Sequence, residues 1–211
     1  MPENDEKTVP VKCRVCAQPM HTPVVCDYCH AIGDAAELTD YFTMLGVPQR
    51  FDLDTDELSR QFVALSRHAH PDFHVSDSPE VQQLSLRVSS TLNDAYRTLK
   101  DPATRGAYLL ELLGGKSSAR DKSVPDGFLD TMMMMQEELA DAKTGGDRGE
   151  LDRLATVLAT QHDGLMRRLS GLFAEHQKSL GCEAIRRGLL DEIRKQLNAV
   201  SYVRKLQSQL P

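Results

Sequence analysis

Apolar residues recur along this chain at intervals of three, four and seven, the period of helices that pack on one side, while alternating apolar and polar runs are scarce. A short run from Thr39 to Val47 carries Tyr41, Phe42 and Leu45. It closes at Gly46-Val47-Pro48, which predicts a short first helix with a stop. Asp54 followed by Glu57 has the spacing of a capping box. The second helix follows, with Leu58, Phe62, Leu65 and Ala69 on one face, and Pro71 ends it near Ala69 because a residue before proline avoids the helical region. Ser78-Pro79 opens a long third helix through Val81, Leu84, Val88, Leu92, Ala95 and Leu99. Asp101-Pro102 opens a fourth, with Tyr108, Leu109 and Leu112 inward, and Gly114-Gly115 ends it. Lys116 to Pro125 is rich in Ser and charge, without apolar period, and reads as a link. Three long amphipathic segments complete the chain. The first runs from Asp126 to Lys143; the second carries Leu151, Leu154, Leu158, Leu165, Leu169 and Leu172; the third carries Ile185, Leu189, Ile193, Leu197, Val200 and Val203. Three such stripes are buried only against one another, which predicts a three-helix bundle and an all-α protein.

The length of 211 residues and a hydrophobic fraction of 40% suit one or two small domains. The expected boundaries are a cysteine module over 1–37, four helices over 38–115, a link over 116–125 and the bundle over 126–211. A net charge of -6 argues against nucleic acid as the main partner, since phosphate contacts need clustered Lys and Arg. No window approaches the roughly 20 uninterrupted apolar residues of a membrane helix. The opening Met1-Pro-Glu-Asn-Asp-Glu-Lys7 is acidic and has neither a secretory core nor the Arg-rich character of a transit peptide, so a cytoplasmic protein is expected.

Four of the five cysteines form two Cys-x-x-Cys pairs, Cys13 with Cys16 and Cys26 with Cys29. Thiolates on two tight turns can converge on a tetrahedral centre, so this spacing predicts a structural zinc site of the zinc-ribbon or rubredoxin-like kind, with iron in the same cage left open. Pro10, Pro19, Pro23 and Val24-Val25 fit two short knuckles around it. Cys26-Asp-Tyr-Cys29-His30 also satisfies the haem-attachment pattern, but that reading leaves the first pair unexplained. Cys182, alone before the last helix, is expected to be a small buried residue.

His70-Pro71-Asp72 lies in the polar turn between the second and third helices. No nucleophile elbow or phosphate loop accompanies it, so it is not read as catalytic and the chain is not expected to be an enzyme. The order short helix, long helix, His-Pro-Asp turn, long helix, short helix resembles the J domain of DnaJ-like co-chaperones. Leu92-Asn-Asp-Ala-Tyr-Arg-Thr-Leu99, then Asp101-Pro102, Arg105 and Tyr108-Leu-Leu-Glu-Leu-Leu113, resembles more narrowly the HscB family, which serves iron-sulfur cluster assembly. That resemblance implies that His70, Pro71 and Asp72, helped by a basic face at Arg60, Arg67 and His68, contact an HscA/DnaK-type 70-kDa heat-shock chaperone and stimulate its ATPase. It further implies that the bundle binds an IscU-type scaffold through Leu129, Met133 and Glu137 of its first helix and Tyr202 of its last. Asp130 stands where the family usually has an apolar residue. Four successive methionines, Met132 to Met135, span about 300° of a helix, so at least one is exposed. The rival readings are a general DnaJ-like protein for unfolded clients, although the Gly-Phe-rich linker and repeated Cys-x-x-Cys-x-Gly-x-Gly units are missing, and a zinc-ribbon nucleic-acid regulator, although residues 1–40 lack a basic ribbon.

Overall fold

A computed structural model describes residues 11–33, 39–179 and 181–211; the acidic opening, Pro10 and the expected boundary near residue 37 lie outside the described residues. The chain divides into two compact units, Met1–Asp101 and Pro102–Pro211.

In the first unit, two-residue strands β1 (Val11–Lys12) and β2 (Pro19–Met20) pair antiparallel, and an isolated bridge joins Val25 to Ile32. Helix α1 (Tyr41–Leu45) starts where Asp40 Oδ1 accepts the backbone N–H groups of Phe42 and Thr43. It stops at Gly46, whose φ of 66° and close approach to Thr22 both favour a residue without a side chain. Helix α2 (Thr55–Ala69) is capped in the same way by Asp54, which accepts from Asp56 and Glu57. Only half of the capping box forms: the Glu57 carboxylate points forward and accepts from Arg60 and Gln61. Helix α3 spans Pro79–Lys100. Leu58, Leu65 and Ala69 of α2, Val88, Leu92, Ala95 and Leu99 of α3 and Phe42, Met44 and Leu45 of α1 are buried together as the core of this unit. Each such Leu or Phe contributes about 1.5–3 kcal/mol of burial.

The second unit holds α4 (Pro102–Leu112), α5 (Phe128–Gly145), α6 (Arg148–Lys178) and α7 (Glu183–Gln207). The long α6 and α7 form its main pair, and α5 and α4 both pack on them. Met132, Leu139, Leu154, Leu158, Val203 and Leu206 make one core cluster. Some inward assignments from the sequence shift. On α4 the buried stripe is Arg105, Gly106, Leu109 and Leu110, which leaves Leu112, about 200° from Leu110, exposed. Ile185 is exposed, and so is Cys182 just ahead of α7. The expectation of a buried thiol at Cys182 is therefore corrected: it lies at the helix start, beyond the stripe that packs. The segment between α4 and α5 is held by α7, whose Arg194 Nε donates to the Lys116 carbonyl (2.8 Å) and whose Asn198 Nδ2 donates to the carbonyls of Asp121 (3.0 Å) and Ser123 (2.8 Å). Among the described residues no helix is long and apolar enough to cross a membrane.

Candidate functional site

The first unit brings the four predicted cysteines together. Two knuckles of equal construction do this. In one, the N–H of Cys13 donates to Gln18 and the N–H of Ala17 returns to Cys13; in the other, Cys26 donates to Ala31 and His30 returns to Cys26. Ala17 (φ 59°) and His30 (φ 58°) take the same left-handed conformation directly after the second cysteine of each pair. Gly33 closes the second knuckle against the Pro23 carbonyl, which a side chain at that position would strike. The four Sγ atoms lie within 4.8 Å of one another, with Cys13 to Cys29 at 3.6 Å and Cys16 to Cys26 at 3.5 Å. A tetrahedron of sulfurs about 2.3 Å from a zinc ion has edges of about 3.8 Å, so the donor set and its size fit a closed four-thiolate metal site.

The thiols themselves point the same way. Backbone N–H groups of Cys16 and Val15 hold the Cys13 thiol down at about 6. The N–H of Gln18 pulls Cys16 down, but desolvation and the three neighbouring sulfurs outweigh it and push Cys16 up to about 12. Four sulfurs this close ionise together only around a cation. Cys13, Cys16, Cys26 and Cys29 would hold such an ion, which would act as a structural tie for a module whose small core is Cys13, Met20 and Cys26.

At the end of α2, His70 leaves the helix in extended conformation, and Pro71 opens a 3-10 turn, Pro71–His74. The side chains of His70 (54%) and Asp72 (86%) face solvent, while the His70 ring accepts the Asp72 N–H. The last two carbonyls of α2, those of His68 and Ala69, are engaged by side chains from beyond the helix. Ser85 and Ser89 both donate to the Ala69 carbonyl (2.8 and 2.7 Å), and His74 Nε2 meets the His68 carbonyl (2.9 Å) with its Nδ1 on Asp77 (2.7 Å). Ser85, Ser89 and His74 carried no sequence signal for this role. Arg60 and Arg67 are exposed on α2, Arg60 in an ion pair with Glu57. Burial, then the neighbouring His30 and Arg67, hold the His68 imidazole below its ordinary value.

In the second unit, Leu129, Met133, Glu137 and Tyr202 line one groove of about 270 Å³ between α5 and α7, together with Met132, Gln136, Lys205 and Leu206. Of the four methionines, Met132 is buried (5%) and Met133 and Met134 are exposed (64% and 59%). Tyr202 stands edge-on to Phe128, ring centroids 6.2 Å apart.

A helix pair joined by an exposed His-Pro-Asp turn, on a chain that continues into a second helical unit, defines a J-domain co-chaperone. Residues 40–108 match the model of the DnaJ domain, and residues 124–210 match that of the HSCB C-terminal oligomerisation domain. The chain belongs to the HscB co-chaperone family. The co-chaperone protein HscB homolog of Neisseria meningitidis serogroup A is 34% identical over 164 residues, 77% of this chain and 99% of that one. The homolog of Ralstonia nicotianae is 33% identical over 133 residues, 63% of this chain and 76% of that one. The crystal structure of human HscB superposes with a TM-score of 0.77 at 23% identity over 95% of this chain and 96% of that one. For Vibrio cholerae HscB the values are 0.68, 28%, 82% and 95%. Both family models begin after the cysteine module.

Proposed function

We propose that this protein is an adaptor of iron-sulfur cluster assembly, which carries an IscU-type scaffold to an HscA/DnaK-type 70-kDa chaperone and stimulates that chaperone's ATPase through His70-Pro71-Asp72. The observation that carries the reading is the exposed His-Pro-Asp turn, pinned at the end of α2 by Ser85, Ser89 and His74, in a chain of the HscB family. Proline fixes the turn and removes a donor, so His70 and Asp72 project polar groups outward from a rigid base. Arg60 and Arg67 would extend the contact along α2. The groove formed by Leu129, Met133, Glu137 and Tyr202 would take the scaffold: its lining combines apolar and aromatic side chains with the charged Glu137 and Lys205, the composition of a docking site. Coupling the partners requires no bond chemistry here, because holding both on one chain raises their effective concentration. We place the protein in the cytoplasm, a compartment in which its five free cysteines stay reduced.

His70→Gln is expected to leave the helical circular-dichroism signal unchanged and to abolish ATPase stimulation. Full stimulation by the folded variant overturns the proposal. Leu129→Ala, Met133→Ala and Tyr202→Ala combined are expected to weaken calorimetric binding to an IscU-type scaffold at least tenfold, about 1.4 kcal/mol, since hot-spot side chains individually reach 2 kcal/mol or more. Wild-type affinity in that triple variant removes the groove from the proposal.

A further inference from the structure

The cysteine module is built against α2. The His30 ring stacks on that of His68, with centroids 4.0 Å apart and planes 2° from parallel. Beside this stack runs a groove of about 430 Å³. Cys29, His30 and Ala31 form its module wall, Arg67 and His68 its α2 floor, and Phe73 and His74 the wall that leads to the His-Pro-Asp turn. Phe73 is 70% exposed and stands edge-on to the His70 ring at 6.5 Å, so the groove and the turn form one continuous surface.

The chemistry of the groove selects what enters. The one carboxylate lining it, Asp77, is already engaged by His74, whose other nitrogen meets the His68 carbonyl. Among the described residues no carboxylate is paired with Arg67. The groove therefore offers the Arg67 guanidinium, with up to five donors, and the imidazoles of His30 and His68, with no unengaged carboxylate among its described lining residues.

We propose that the second cysteine knuckle is part of the chaperone-docking surface: His30 and its stacked partner His68 form, with Arg67, a donor-rich groove that receives an acidic segment of the 70-kDa chaperone held at the His-Pro-Asp turn. This rests on the reading of His70-Pro71-Asp72 given above. The metal then has a task beyond tying its own module, since it fixes the knuckle that carries His30.

The test compares His30→Asp with His30→Asn in the full-length, metal-loaded protein. Both side chains tolerate the left-handed backbone of residue 30 and have the same shape, so steric and backbone effects are common to both, and equal metal content in the two variants is required before their charge effect is compared. ATPase stimulation of a purified HscA-type chaperone is titrated with each variant at low and high salt. Metal content and binding to an IscU-type scaffold are measured alongside. The Asp variant is expected to need roughly threefold to tenfold more protein than the Asn variant for half-maximal stimulation at low salt, with a smaller ratio at high salt and unchanged scaffold affinity. Equal half-saturation of the two variants at low salt overturns the inference. So does a difference that salt does not reduce, because that is not a charge effect. If His70→Gln also stimulates fully, the reading of the turn falls and this inference with it. If His70→Gln is inactive while the Asp and Asn variants coincide, only the docking role of the knuckle falls.

Discussion

The carbonyl of Ala69 receives two hydroxyls, from Ser85 and Ser89, so the last turn of α2 has two fasteners at one atom. Removing one serine leaves the other bond in place; removing both strands a buried carbonyl. Ser85→Ala and Ser89→Ala are each expected to be nearly neutral in urea unfolding, whereas the double variant costs about 1–3 kcal/mol, more than the sum of the two. Additive effects would show that the hydroxyls act independently. Asp54 makes a different statement about single residues. The N–H groups of Glu57 and then Asp56 hold its carboxyl below the ordinary 3.8. A depressed carboxyl contributes stability above that ordinary value and loses it as pH falls through the depressed one. The melting temperature of the wild type minus that of Asp54→Asn is therefore expected to be largest near neutrality and to shrink on acidification; a difference that grows in acid contradicts the cap. The Asp54 cap was legible in the sequence because its partners are two and three residues away. The serines were not, since their acceptor lies 16 and 20 residues back and no local spacing records it.

At the scale of elements, the period of apolar residues located the helices and their breakers set the ends, with Asp54, Pro79, Pro102 and Gly46 at or next to observed termini. Helical phase was less legible. Leu112 and Ile185 fit a stripe by count but lie where no neighbouring helix covers them, and coverage is set by tertiary packing. The segment 116–125 connects α4 to α5 without regular structure, and how it is held was not legible. It lacks apolar period because its anchors are backbone carbonyls, held by Arg194 and Asn198 from α7. Asn198→Ala removes two of these bonds and is expected to cost about 1–3 kcal/mol and to speed amide exchange around 121–123. Unaltered exchange there would mean that the segment is held by other contacts. The four cysteines were legible in full, because a Cys-x-x-Cys knuckle is a local structure; that the second knuckle stacks on α2 was not, because no local spacing links His30 to His68, 38 positions further on, until the fold brings them together.

At the scale of the molecule, the His-Pro-Asp turn and the four-cysteine cluster lie in one unit and the methionine-lined groove in the other. Chelating the metal under reducing conditions is expected to lower the melting transition of the first unit and to leave binding of an IscU-type scaffold unchanged; a matching fall in scaffold affinity would refute this division of labour. Far-UV helicity should hardly move, since the module's strands are two residues each. Because the ligands bind as thiolates, metal loss is also expected as pH falls, with proton release on reloading. The exposure of Met133 and Met134 beside buried Met132 has a consequence of another kind. Peroxide converts accessible thioethers to sulfoxides, which are polar and chiral where the groove is apolar, and methionine sulfoxide reductases reverse the change. Mass spectrometry after mild peroxide treatment should find oxygen on Met133 and Met134 before Met132, with weaker scaffold binding that returns on enzymatic reduction, so that the supply of scaffold to the chaperone would slow under oxidative stress and recover with repair.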